Sequence, residues 1–301
     1  MNLPVRANNT IKSLKYVLKE DTKHWVGDGF HVHGLIRPTE ELSQLLSPFV
    51  LMDYASPSEF SVSESPRGVG EHPHRGFETV TLAYLGEVSH RDSSGGGGTI
   101  KEGDVQWMTA GAGIVHEEYH SEDFSRRGGL FEMVQLWVNL PAKDKWVRPG
   151  YQSLQRDQFP EFEATEGIRL RIISGEYDGV RGPASTFSPI NIFDINSRKA
   201  ASFSMTLNEG SSTAILIRRG MVTLNQQSFS ASEVLVFDQK GRSIELSLSD
   251  DFEGLVLNGE PLNEPVVAGG PFVMTTKEEI LQAMTDYRNG KMGRLPEKKT
   301  R

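Results

Sequence analysis

The feature that most constrains this chain is a succession of short strand-like runs closed by turn residues, with little helical periodicity between them. Examples are "FETVTLAYLG" (77–86), "GDVQWMTAG" (103–111), "FEMVQLWVNL" (131–140), "IRLRIISG" (168–175), "STAILIRRG" (212–220), "EVLVFDQKG" (233–241) and "SIELSLS" (243–249). Turn signals recur at roughly 8–12 residues, the spacing of all-β sandwiches and barrels. Two segments read otherwise. "TEELSQLLSPF" (39–49) is a short helix or turn. "TTKEEILQAMTDYRNG" (275–290) is a helix: Thr275 or Thr276 can cap it, Glu278 and Glu279 suit its positive end, and Ile280, Leu281, Met284 and Tyr287 recur at helical spacing.

The chain has 301 residues, enough for two domains of about 150 residues or one large β architecture. "NLPAKDKWVRPGYQ" (139–152) is the best linker, and it divides the chain almost in half. "STAILIRRGMVTL" (212–224) and "SASEVLVFDQKG" (230–241) echo "FETVTLAYLGEVSH" (77–90) and "IKEGDVQWMTAG" (100–111): strand, glycine turn, strand. The echo favours two related β-barrels, an N-terminal one over 1–145 and a C-terminal one over 146–301 ending in the helix. The "DSSGGGGT" run (92–99) precedes no helix start, so it reads as a loop between strands, not a phosphate cradle.

Composition closes several routes. No cysteine is present, which excludes disulfides and thiolate metal sites. With 32 Lys+Arg against 40 Asp+Glu the net charge is −8, which argues against intrinsic nucleic-acid binding. The N-terminal segment lacks the apolar core of a secretory signal, and no apolar run is long enough to span a membrane. The expectation is a soluble cytoplasmic protein, nuclear as well in a eukaryote. Closed barrels expose no strand edges, so a monomer is expected.

All eight histidines (24, 31, 33, 72, 74, 90, 116 and 120) lie in the first 120 residues. An imidazole-based metal site can therefore exist only in the first half. Residues i and i+2 of a strand share a face, so His72 and His74 in "EHPHRGFET" point together. Gly76 and Glu78 join them if the strand continues. His116 and Glu118 in "GIVHEEYH" form a second same-face pair. Two antiparallel strands in one barrel can combine them into three imidazoles and a carboxylate, a set suited to Fe(II), Mn, Ni, Co, Cu or Zn and poorly suited to Mg or Ca. Four such ligands on an octahedral ion leave two positions open, as in a reactive site. Rival ligands are Glu78, the His31–His33 pair in "FHVHG" and His120. The "FHVHG" pair sits among turn residues with no partner pair left over. His90 reads as a solvated or rim residue at a loop entrance.

Together, "HPHRGFETVT", "GDVQWMTAGAGIVHEE", "QLWVNLPAKDK" and "EPVVAGGPFVM" resemble the pirin family of the cupin superfamily, over roughly residues 24–290. Thr109, where cupins usually have proline, and the four residues between Gly111 and His116 both look like the pirin variant. The resemblance implies an all-β bicupin: two barrels packed face to face, with a short C-terminal helix. It implies one divalent metal, usually iron, in the N-terminal barrel, held by His72, His74, His116 and Glu118. Glu78 then stands just outside the ligands, as a hydrogen-bond partner or an alternative catalytic base to Glu118. Two activities come with the family: quercetin 2,3-dioxygenase chemistry on a flavonol, and iron-dependent regulation through a protein partner. Trp107, Met108, Phe77, Phe131 and Met133 are candidate walls for a flat aromatic substrate.

Overall fold

The computed structural model describes residues 10–296; the first nine residues, part of the segment read for a leader, lie outside them. Among the described residues no helix is long and apolar enough to cross a membrane. The chain forms two barrels, each made of a seven-stranded and a four-stranded sheet. In the first, the seven-stranded sheet runs in the order Gly150–Leu154, Val105–Thr109, Phe77–Leu85, Gly129–Asn139, Phe49–Phe60, Phe30–Ile36, His24–Val26. In the second it runs Leu14–Lys19, Glu233–Phe237, Ser212–Arg219, Glu253–Gly259, Ile190–Ser197, Ile168–Ser174, Glu161–Thr165. The two orders match position by position. The sequence echoes fall where they should: Ser212–Arg219 takes the place of Phe77–Leu85, and Glu233–Phe237 that of Val105–Thr109.

The match exposes an exchange of segments. Leu14–Lys19, from the start of the chain, pairs with Glu233–Phe237 and so edges the second barrel. Gly150–Leu154, from beyond the linker, pairs with Val105–Thr109 and edges the first. The helix Lys277–Arg288 and the hairpin before it (Val267–Gly269 and Phe272–Met274) also pack on the first barrel, where Phe272, Met274, Ile280 and Ala283 meet Val115. A division into 1–145 and 146–301 thus separates the sequence but not the two bodies. Each crossing segment covers apolar surface that a barrel built from one half alone would leave in water.

The seven-stranded sheets pack face to face, and their strands alternate accordingly. Val80, Leu82, Val134 and Leu136 of the first sheet meet Ile192, Leu216, Val236 and Leu257 of the second in one shared core. Burying each such side chain stabilises the fold by about 1.5–3 kcal/mol. The opposite faces look into the barrels, and there the two halves differ. The second barrel is filled with Phe193, Ile195, Ile215, Leu235, Phe237 and Val256. The first places Thr79, Thr81, His90, Gln106, His116 and Gln135 among its buried residues.

Ionised side chains fix how the barrels meet. Arg218 of the second barrel donates to Glu132 of the first at 2.8 and 3.0 Å. Tyr54 donates to the same carboxylate at 2.8 Å. The Arg218 guanidinium lies 3.2 Å from the centre of the Tyr84 ring, and the Tyr84 hydroxyl donates to Asp194, itself paired with Arg171.

The helix forms as its caps dictate. Thr276 and Glu279 make a reciprocal capping box. Its buried face is Ile280, Ala283 and Asp286, whereas Leu281 and Tyr287, expected on the apolar stripe, are exposed. The short helix Glu40–Leu45 lies where the sequence places it, and a further helix, Glu122–Arg127, has no helical signature long enough to read. Glu132→Ala takes the nearer acceptor from both Arg218 and Tyr54, leaving the buried Arg218 paired only with the part-exposed Glu253 at 3.3 Å and Tyr54 with the Arg218 carbonyl at 3.4 Å. We expect a loss of about 3–5 kcal/mol, measured by denaturant unfolding.

Candidate metal centre

Two neighbouring strands of the first barrel's four-stranded sheet carry the histidines. Gly68–His74 pairs antiparallel with Ile114–His120, so that His116 stands opposite His72 and Ile114 opposite His74. Pro73 sits between the ligands without disrupting the sheet because its strand is at the edge. The three rings converge, with centroids 4.8 Å apart for His72–His74, 4.3 Å for His72–His116 and 4.9 Å for His74–His116. One nitrogen from each lies within 4.8 Å of the others.

Their protonation follows from what surrounds them. His72 Nδ1 lies 2.8 Å from the Gly70 carbonyl, and His74 Nδ1 lies 3.1 Å from the Pro271 carbonyl. A carbonyl only accepts, so each Nδ1 carries hydrogen and each Nε2 keeps its lone pair. His116 is fully buried, and neither of its nitrogens has a hydrogen-bond partner among the described residues. Burial lowers the pKa of all three: His74 falls to about 3, helped by His72, and His116 falls well below the ordinary value. At neutral pH the cluster is three uncharged imidazoles. Such donors suit a transition metal, and an orphaned buried imidazole is explained by one.

Glu118 is two residues beyond His116, past a register shift between them. Its carboxylate lies outside the tight cluster of imidazole nitrogens but lines the same cavity as His72 and His74. Burial pushes its pKa up to about 7, opposed by hydrogen bonds from Thr81 and Gln135. The cavity has a volume of about 340 Å³, in the range of small-molecule sites. Phe30, Val32, Val69, Met133 and Trp137 give it apolar walls, and Gly270 and Pro271 of the C-terminal hairpin complete it.

The ligand-bearing strand is clamped from several sides. Arg75, next to His74, donates to the Ala112 carbonyl at 2.6 Å and to Asp286 of the C-terminal helix at 2.9 Å. Its own carbonyl accepts from Val273 at 3.1 Å. The fully buried Lys145 donates to the carbonyls of Gly76 and Val273 and to Asn139 Oδ1, at 2.7, 2.9 and 2.6 Å.

Other expectations change. Glu78 is not beside the histidines. Gly76 has φ +86°, which ends one strand and starts Phe77–Leu85 in another sheet, so the parity count from His74 does not carry through. Val80 and Leu82 face the second barrel, and Glu78 shares their face, on the far side of its sheet from Thr81. There it accepts from Thr109 Oγ1 at 2.7 Å. His90 is buried in Val88–Asp92 with its ring 4.6 Å from that of Tyr151, neither solvated nor at a rim. His31 stacks on Trp25, and His33 bonds the Glu20 carbonyl and Ser56. His120 packs among Phe30, Phe60, Phe124 and Phe131 and meets the Gly29 carbonyl through Nε2. Of the expected wall residues Met133 lines the cavity. Phe131 lies in the core of the first barrel, Phe77 packs against His74, Met108 sits with Ala110 and Ile114, and Trp107 faces the second barrel. Asp53, Gln135, Trp137 and Pro271 line the cavity without having been expected there. The strand parity of "QLWVN" is the one signal for Gln135 and Trp137.

Fold and site together define a bicupin protein with a histidine triad in one barrel. Family profiles agree on which: that for Pirin matches residues 29–138, and that for the Pirin C-terminal cupin domain matches residues 192–293. The chain belongs to the pirin family. It is 47% identical over 270 residues to a Pseudomonas aeruginosa protein named "Putative quercetin 2,3-dioxygenase", covering 89% of this chain and 94% of that one. It is 37% identical over 257 residues to Pirin of Rattus norvegicus, covering 83% and 84%. A crystal structure of quercetin 2,3-dioxygenase from Acinetobacter baumannii superposes with a TM-score of 0.91 at 48% identity, covering 94% of this chain and 99% of that one.

Burial raises the pKa of Glu78 to about 7, against the Thr109 hydrogen bond. A carboxyl raised on folding contributes stability that is full below its unfolded value and is lost as pH rises through the folded one. In metal-free protein, Glu78→Gln should therefore flatten the fall in stability between about pH 4.5 and 7. The change should reach up to about 3 kcal/mol when unfolding is compared at pH 5 and pH 8.

Proposed function

We propose that this pirin is a metal-dependent dioxygenase that opens the heterocycle of a flavonol such as quercetin with dioxygen and releases carbon monoxide. The observation that carries the reading is the placement of three uncharged imidazoles beside a mostly apolar cavity with a carboxylate in its wall. His72, His74 and His116, with Glu118, would hold one divalent transition metal, Fe(II) in the first instance. Such an ion supplies Lewis acidity to the flavonol hydroxyl and a site for dioxygen.

The chain's own residues do the rest. The apolar walls at Phe30, Val32 and Met133 accept a flat aromatic molecule and exclude water. Trp137, 5.3 Å from His74, offers a ring face beside the triad. Glu118 takes the proton from the flavonol 3-hydroxyl at a carboxylate oxygen. Thr81 Oγ1, 3.5 Å from Glu118 Oε1, holds that oxygen on the barrel side. Glu78, turned toward the second barrel, has no part in this step. The family's other activity, regulation through a protein partner, rests on the same triad. It gives no reason for an apolar cavity beside the triad, and that feature favours catalysis.

His72→Ala or His116→Ala should each abolish stoichiometric metal by elemental analysis, while the His31→Ala/His33→Ala double variant keeps it. Retention in the first two sinks the ligand set. Iron-loaded protein mixed aerobically with quercetin should bleach the flavonol absorption and release carbon monoxide. Absence of turnover with Fe, Mn, Co, Ni and Cu alike would favour the regulatory reading.

A further inference from the structure

One cavity residue is charged, is held by a built contact, and has no part in the chemistry above. Asp53 lies on Phe49–Phe60 between Met52 and Tyr54, which face the second barrel, so Asp53 faces into the first. It stands opposite Gln135, which in turn stands opposite Thr81. Thr81 Oγ1 donates to Gln135 Oε1 at 3.1 Å and reaches Glu118 at 3.5 Å. A polar row thus crosses the inner face of the seven-stranded sheet, from Glu118 beside the triad to Asp53, between apolar walls.

Asp53 is anchored at its outer end. Arg37 donates to Asp53 Oδ1 at 2.6 Å. The guanidinium lies where a side chain at Gly34 would be: a Cβ there would sit 2.0 Å from the Arg37 nitrogen, and Gly34 is the residue paired with Asp53. The ion pair therefore occupies a prepared space. Arg37 holds one carboxylate oxygen, and Oδ2 takes no hydrogen bond from any described residue. The Asp53 side chain is 14% exposed, so in the empty cavity Oδ2 meets solvent, and a molecule that fills the cavity must replace that water with a donor of its own.

We propose that Asp53 is a specificity residue, accepting a hydrogen bond at Oδ2 from a phenolic hydroxyl of the substrate remote from the hydroxyl that meets the triad. The inference rests on the flavonol reading and narrows it to polyhydroxylated aromatic substrates. A molecule without the remote hydroxyl shuts water away from Oδ2 and gives it no donor in return, and is selected against for that reason.

The test is anaerobic binding to metal-loaded protein, read by quenching of tryptophan fluorescence, since Trp137 is in the cavity wall. The probes are quercetin and 3-hydroxyflavone, which share the 3-hydroxy-4-oxo pair and differ in the remote hydroxyls. Wild type should bind quercetin about 10- to 100-fold tighter. Asp53→Ala should erase most of that preference and change 3-hydroxyflavone affinity less than about threefold. If that variant fails to fold, Asp53→Asn, of the same shape, should cut the preference at least about threefold. Parallel loss of affinity for both probes, or no preference in wild type, overturns the assignment. Failure of wild type to bind either probe overturns the flavonol reading as well, which separates the two failures.

Discussion

The site depends on a change of sheet made within two residues. The chain leaves the four-stranded sheet at His74 and enters the seven-stranded sheet at Phe77. Gly76 makes this possible: it has φ +86°, and a Cβ there would lie 2.1 Å from the Val273 carbonyl. The turn is locked by Lys145, whose ammonium has three oxygen acceptors drawn from the turn, the end of the Gly129–Asn139 strand and the C-terminal hairpin. Burial lowers the Lys145 pKa to about 8, so the ammonium is held at a cost that its three acceptors offset. Through this one contact the triad's strand, the linker and the last hairpin hold a common position.

The two barrels share a strand order but not an interior. In the second, phenylalanine, isoleucine and leucine fill the space, and no imidazole is present to bind a metal. In the first, polar side chains on the inner faces leave room for chemistry and require partners for their donors and acceptors. The shared core between the seven-stranded sheets is apolar on both sides, with the Arg218–Glu132 pair crossing it. The second barrel thus serves the first as a packing surface. It also sends the C-terminal hairpin back across, and Pro271 from that hairpin sets the tautomer of His74.

This return gives the cavity beside the triad part of its wall. Gly270 and Pro271 form part of the cavity wall, and the buried Arg75–Asp286 pair, with side chains 4% and 9% exposed, ties the helix beyond them to the residue after His74. Desolvation then acts on every ionisable group within reach, pulling histidines toward the uncharged form and carboxyls toward the protonated one.

The class of fold, the duplication and the half that holds the histidines are all legible in the order of residues. They follow from period-2 alternation, glycine turns and composition, which act locally. So does the pairing of His72 with His74 and of His116 with Glu118, because i and i+2 share a face wherever a strand is unbroken. Packing in three dimensions set everything else. Parity failed at Gly76 and turned Glu78 to the opposite face, since a left-handed residue resets the count. The exchanged strands, the Pro271 carbonyl on His74, the Lys145 cage and the Arg37–Asp53 pair join residues far apart in the chain or set by cross-strand register. No local pattern encodes such contacts; they exist only once two barrels have packed and the chain's end has crossed back over the first.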